Sequence, residues 1–271
     1  VDSQVYGVWA EAAAELVSYR YLGCRSVPGE GFEAQGSMQI RSDMRHDGAI
    51  RAAPIAIAML DTAGIAVDRH WQLALTHVDV KLAGPATATS RIGVHGSMTR
   101  RARSQVFTEA RVVDADEPAR VVGIGTADWA VITDTAMGFE YIDPGPGVPD
   151  TVDLPALVDA YGAVHGADGR LVIPELTPQL GGVILHHGPI LVVLETAALQ
   201  AAGPGVRVAA FGVRIVRAGK RGPFVASVRV LADDARDVLV RAELTQDGDD
   251  ANVVAVATIT LVRELKEQNS R

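Results

Sequence analysis

Leu60-Asp61-Thr62-Ala63 returns 134 positions later as Leu194-Glu195-Thr196-Ala197. The same spacing carries Gly48-Ala49-Ile50 to Gly182-Val183-Ile184. Near the end of each half, Val121-Val122-Gly123-Ile124-Gly125-Thr126 is answered at a spacing of 132 by Val253-Val254-Ala255-Val256-Ala257-Thr258. These spacings are close to half of the 271-residue chain, which is what two tandem copies of one unit produce. Residues 143–150, which include Asp143-Pro144-Gly145-Pro146-Gly147-Val148-Pro149, suit a connector, so the copies are expected over residues 1–137 and 138–271.

Each repeated tetrapeptide lies in a stretch that is apolar nearly all round. Pro54 to Gly64 in the first copy and Pro189 to Leu199 in the second both read as helices, with proline in the first turn, where its missing N–H costs little. A helix without a polar face has to be wrapped. Four strand candidates follow each helix. They are Gln72–Leu82, Thr87–Ser97, Ser104–Asp114 and Ala119–Thr133 in the first copy, then Val206–Arg217, Pro223–Ala232, Val238–Gln246 and Asn252–Arg263 in the second. A short helix, residues 5–20 or 153–161, and one strand, around Gly36–Arg41 or Arg170–Pro174, precede each central helix. Short connections make the strands antiparallel neighbours, so the expected fold is α+β: two units, each an antiparallel sheet curled around a buried helix, packed as a pseudo-dimer.

The composition narrows the function. The chain has 25 basic and 33 acidic residues, a formal net charge of −8, which argues against nucleic acid as a partner. No apolar run reaches the length of a membrane helix: Ala52–Leu60 ends at Asp61, and Gly181–Leu194 is interrupted by His186 and His187. The one cysteine, Cys24, can form neither an intrachain disulfide nor a multi-thiolate metal site, and the first residues lack a signal-peptide pattern, so a cytoplasmic location is expected. No cofactor and no metal are called for. His186 and His187 are neighbours with no third ligand in view, and His165-Gly166-Ala167-Asp168-Gly169 lies too far before Pro189 to lead into the central helix as a dehydratase motif would.

A carboxylate in the middle of each buried helix is the physical anomaly. Asp61 and Glu195 are costly there unless paired, and such surroundings perturb a pKa in the way general bases require. The structural alternative is a carboxylate that caps a partner element or pairs with an arginine such as Arg51.

The order of these elements resembles the hotdog fold and, within it, the acyl-CoA thioesterases of the phenylacetate-pathway, PaaI-like branch. The resemblance runs over residues 32–133 and 168–263. Leu60-Asp61-Thr62-Ala63, Thr76-His77-Val78-Asp79-Val80-Lys81-Leu82-Ala83-Gly84-Pro85, Gly123-Ile124-Gly125-Thr126 and His186-His187-Gly188 carry it. It implies hydrolysis of an acyl-CoA or related thioester, with the helices crossed so that each acid faces the head of the other helix. One site then joins Asp61 to the backbone N–H groups of His187 and Gly188, with His77 at the place of the family's strand hydroxyl. The other joins Glu195 to Ala52-Ala53-Pro54, with Val213 at the strand position and His46 nearby. Asp61 acts as general base or attacks directly, and helix-head amides hold the oxyanion. Arg100, Arg101 and Arg103 are the expected contacts to the CoA phosphates, with His46 and His186 as further substrate contacts. Hydration or dehydration of an acyl thioester, and a degenerate double hotdog that binds without turnover, are the rival readings. Association of the pseudo-dimer into homo-oligomers fits a fold with exposed sheet edges.

Overall fold

The computed structural model describes residues 15–134 and 145–263. In chain order, α1 (Val17–Arg20), β1 (Arg25–Pro28) and β2 (Glu33–Gln39) lead to a two-stranded ribbon, β3 (Arg45–His46) and β4 (Ala49–Ile50). The central helix α2 (Ala52–Asp68) follows, then β5 (Trp71–Leu82), β6 (Arg91–Arg101), β7 (Gln105–Asp114) and β8 (Val121–Asp134). The second copy repeats this with α3 (Leu157–Ala160), β9 (Val164–His165), β10 (Leu171–Ile173), α4 (His187–Ala202), β11 (Val206–Ile215), β12 (Phe224–Asp233), β13 (Asp237–Gln246) and β14 (Val253–Arg263).

Twelve of these strands form one antiparallel sheet in the order β1-β2-β6-β7-β8-β5-β11-β14-β13-β12-β10-β9. The order reads the same from both ends once each strand is replaced by its repeat counterpart, so the two units are related by a pseudo-twofold axis between β5 and β11. There the sheet is continuous from copy to copy: Val80 pairs with Phe211, Val78 with Val213 and His77 with Arg214. The outermost strands β1 and β9 are short, which limits the open edge they present.

The two long helices lie against this sheet and against each other. Every residue of α2 from Ala52 to Leu60 is buried, and in α4 the same holds from Gly188 to Leu199. The sheet under α2 supplies alternate residues to this core, among them Ile92, Val94, Val106, Val112, Val78 and Val80. Where β6 passes beneath the helix the residue is Gly96, and a Cβ there would come within 2.8 Å of the Ala63 α-carbon. Only glycine lets helix and sheet come this close.

Seven of the eight long strands match their sequence expectation to within two residues. β6 begins four residues later than its expected start at Thr87, because Ala86 adopts a left-handed φ of 48° and the Thr89 amide closes a turn onto the Ala86 carbonyl. The expected helix over residues 153–161 contracts to Leu157–Ala160, and of the helix over 5–20 the described part is Val17–Arg20, Trp9 lying outside the described residues. The expected copy boundary at residue 137 and the first two connector residues also lie outside them. Two strands of the twelve-stranded sheet, not one, precede each central helix, and the β3–β4 ribbon is a further addition in the first copy: β1 and β9 have four and two residues, too short to register as a period.

Candidate active site

The two equivalent acids have different environments. Glu195 is fully buried. Its Oε1 accepts the Ala52 amide at 2.5 Å, and its Oε2 accepts the Ala53 amide and Arg51 Nε, both at 3.2 Å. The other arm of Arg51 donates through Nη2 to Thr196 Oγ1. The carboxylate of one copy therefore caps the central helix of the other, where unpaired amides and the helix dipole favour an anion. This is the crossed arrangement, and at this site the acid is engaged by an arginine and two backbone donors.

Asp61 sits one pseudo-twofold away and keeps partial exposure. Its Oδ2 accepts the Ser26 hydroxyl at 2.5 Å, and among the described residues no arginine, lysine or histidine forms an ion pair with it. Burial pushes its pKa up to about 6, against the opposing effect of hydrogen bonds from Ser26 and Cys24. Two turns further along α2, burial and the Asp61 charge push Asp68 up to about 8.

The head of α4, the counterpart of the one Glu195 caps, holds no carboxylate among the described residues. The His186 amide donates to the Leu180 carbonyl at 2.8 Å, and its Nδ1 lies 3.4 Å from the Gly188 amide and 3.1 Å from Ser18 Oγ. The rings of His186 and His187 are 3.8 Å apart. Burial brings His186 down to about 4, and burial together with His186 holds His187 well below the usual histidine range, so both are neutral at pH 7. A Cβ on Gly188 would lie 1.9 Å from Ser18 Oγ and 3.2 Å from the Tyr161 ring. The glycine is fixed by this close approach.

One stretch of chain touches both the head of α4 and Asp61. Ser18 on α1 reaches the head of α4, and Ser26 on β1, eight residues later, reaches Asp61. Neither serine, nor Tyr161, stands out in the sequence, because β1 has four residues without a usable period and its partner lies 35 residues away.

The remaining candidates are scattered. His46 lines an open cleft of about 390 Å³ with Thr196, Gln200 and Arg51, the ion-pair partner of Glu195. His77 is not brought to Asp61. Alternation with core-facing Val78 and Val80 puts it on the outer face of the sheet, where its Nδ1 is 3.7 Å from Asp128 Oδ2, and the bulge between Leu75 and His77 lets Leu75 face the core as well. Val213, its expected counterpart, faces the core instead. Arg100 and Arg101 end β6, and Arg103 lies in the turn to β7. The Arg101 guanidinium lies 5.1 Å from the Trp71 ring centre, and Phe32 stacks on Trp71 at 5.8 Å. His165 lies on the outermost strand β9, its Nδ1 3.3 Å from the Gly169 carbonyl. Among the described residues no group of three His, Cys, Asp or Glu side chains is placed to hold a metal ion, and no helix is long and apolar enough to cross a membrane.

Comparison with known proteins agrees with this architecture. A hot dog fold protein of unknown function from Alicyclobacillus acidocaldarius superposes with a TM-score of 0.60 at 13% identity, covering 92% of this chain and 98% of its own. An acyl-ACP thioesterase from Bacteroides thetaiotaomicron gives 0.56 at 12% identity, covering 86% and 98%. An acyl-CoA thioesterase II from Mycobacterium marinum gives 0.56 at 13%, covering 89% and 96%. No curated protein sequence matches the chain. Residues 176–262, which hold α4 and nearly all of the four strands after it, match the family described as acyl-CoA thioesterase N-terminal domain. The chain thus has a double hotdog fold, and residues 176–262 of its second unit are similar to the acyl-CoA thioesterase N-terminal domain family.

Proposed function

We propose that the protein hydrolyses acyl-CoA thioesters at the site formed by Asp61 and the head of α4. The observation that carries this reading is the broken pseudo-symmetry of the two acids. Glu195 is tied to Arg51 and two amides, whereas Asp61, at the equivalent position, keeps partial exposure and a pKa near 6. A carboxylate with that pKa is mostly ionised at pH 7 and still basic enough to take a proton from water. The water oxygen bonds to the thioester carbonyl carbon while Asp61 takes its proton. The carbonyl oxygen becomes negative against the backbone N–H groups of His187 and of Gly188, whose long 3.4 Å bond to His186 Nδ1 it replaces, and the tetrahedral intermediate collapses with loss of the thiolate, which is then protonated. The neutral histidines add no charge that would draw Asp61 into an ion pair.

The CoA part of the substrate is assigned to the β6–β7 hairpin. In a chain of net charge −8, Arg100, Arg101 and Arg103 concentrate positive charge beside the Trp71 and Phe32 rings, a surface suited to a phosphorylated nucleotide. The family match over residues 176–262 and the thioesterases among the solved relatives support thioester chemistry. The test is thiol release from short- to long-chain acyl-CoAs, phenylacetyl-CoA and benzoyl-CoA, beside Asp61→Asn. Release that falls at least about 100-fold in the variant is the expected result. Equal release in the variant removes Asp61 from the reaction, and acyl-CoA binding without release identifies a non-catalytic module.

A further inference from the structure

We propose that Ser26 is a positioning residue for Asp61, holding one carboxylate oxygen in place so that the other is kept for the reacting water. The inference rests on the assignment of Asp61 as the base. Ser26 is fully buried on β1 and donates to Asp61 Oδ2 at 2.5 Å. Its single hydroxyl hydrogen goes to the carboxylate, which has none to give when ionised, so toward Thr62 Oγ1, 2.9 Å away, Ser26 acts as acceptor. Thr62 in turn lies 2.9 Å from the Ala58 carbonyl of its own helix. With the single Thr62 hydrogen directed to Ser26 and not to the Ala58 carbonyl, the two hydroxyls form a relay from α2 to Asp61, and such relays polarise one another. The space for the pair comes from β2, where a side chain in place of Gly36 would meet Thr62 Oγ1 at 2.2 Å and Ser26 Oγ at 3.0 Å. Buried behind the acid, Ser26 is itself out of a substrate's reach, which gives it a positioning role and not a nucleophile's.

The titratable groups near Asp61 leave this hydrogen bond in control. Cys24, beside Ser26, is kept protonated by burial and by the Asp61 charge and adds a hydrogen bond to the acid second in effect to that of Ser26, and Asp68 is held largely neutral two turns along the helix. His186 and His187 at the head of α4 are neutral at pH 7, and Glu195 is committed to Arg51. His95, Glu109 and Arg111, on the strands under α2, are exposed on the opposite face of the sheet.

Two measurements on Ser26→Ala, Ser26→Cys and Ser26→Thr test the proposal: the Asp61 carboxyl titration by carbon-13 NMR without substrate, and the pH profile of kcat/KM. Ser26→Ala is expected to move the Asp61 midpoint and the acid limb of the profile up together by about one pH unit. The activity lost is then several-fold greater at about pH 6 than at about pH 9. Ser26→Thr restores the wild-type midpoint and Ser26→Cys, a weaker donor, falls between; these two carry the test if the alanine variant does not fold. An unmoved Asp61 midpoint in a folded Ser26 variant overturns the proposal. Full hydrolysis by Asp61→Asn overturns the assignment of the base instead, and leaves the NMR comparison as a separate result.

Discussion

The carboxylate of Glu195 on α4 accepts the backbone amide of Ala52 at the head of α2, 2.5 Å away and in the other copy of the repeat. With Arg51 on its second oxygen, this acid joins the two units by a buried ionic contact. Arg51→Ala strips a buried charge of its partner and is expected to destabilise the fold by about 3–5 kcal/mol. Glu195→Gln, which keeps the shape and an acceptor, is expected to cost clearly less. Urea unfolding at pH 7 measures both, and equal costs would mean that the contact works by charge and not by shape.

Asp61 acts on stability in the opposite sense. In the unfolded chain its pKa is near 4, and in the folded protein it is about 6, so the folded state holds the proton more tightly. The stability this contributes is complete below about pH 4 and is lost as pH rises through 6. Asp61→Asn, which stays neutral, is therefore expected to be more stable than the natural protein by about 1–2 kcal/mol at pH 8, with no advantage at pH 4. Thermal unfolding across that range checks the crossing.

His186 and His187 give the reverse pH dependence. Both are held neutral by burial, while in the unfolded chain they take up protons near pH 6.5. Their contribution is complete above 6.5 and is lost as pH falls toward 4, the value to which His186 is lowered. In the Asp61→Asn background, which removes the opposing titration, stability is expected to fall steeply between those values. Changing both histidines to Gln flattens the curve.

Gly188 and Ser18 are coupled by contact. Gly188→Ala drives a methyl into Ser18 Oγ and is expected to cost more than about 2 kcal/mol along with most of the activity. In a Ser18→Gly background the obstructing side chain is gone, and the same change costs about half as much or less. A double-mutant cycle by denaturant unfolding reads the coupling, and additive effects would contradict the contact.

Replacing Arg100, Arg101 and Arg103 by Ser tests the nucleotide surface. KM for acyl-CoA is expected to rise about tenfold and to lose much of its salt dependence, while acyl-pantetheine, which lacks the nucleotide, is hydrolysed as before. Equal effects on both substrates would place the arginines in the fold and not in recognition.

The repeat, both central helices and seven of eight long strands were legible because each is a long periodic segment and the chain states it twice. The acids were legible for the same reason: one charge in a run such as Ile55 to Ala66 stands out. Their inequality was not. Whether such an acid is capped or left open depends on Arg51, Ser26 and the amides of Ala52 and Ala53, whose contacts span 35 to 144 residues of chain. His77 is a different case: alternation with Val78 and Val80 already sets it on the far face of the sheet, away from the helix.

Five residue pairs between β5 and β11 make one sheet of two copies carried on one chain. In a dimer of identical subunits every side chain occurs twice, and an acid used to fasten the subunits together is fastened in both. Here a substitution falls on one half only. One acid has gone to holding the halves together and the other has, among the described residues, no ion-pair partner, so any redesign of the first site leaves the lock at the second untouched.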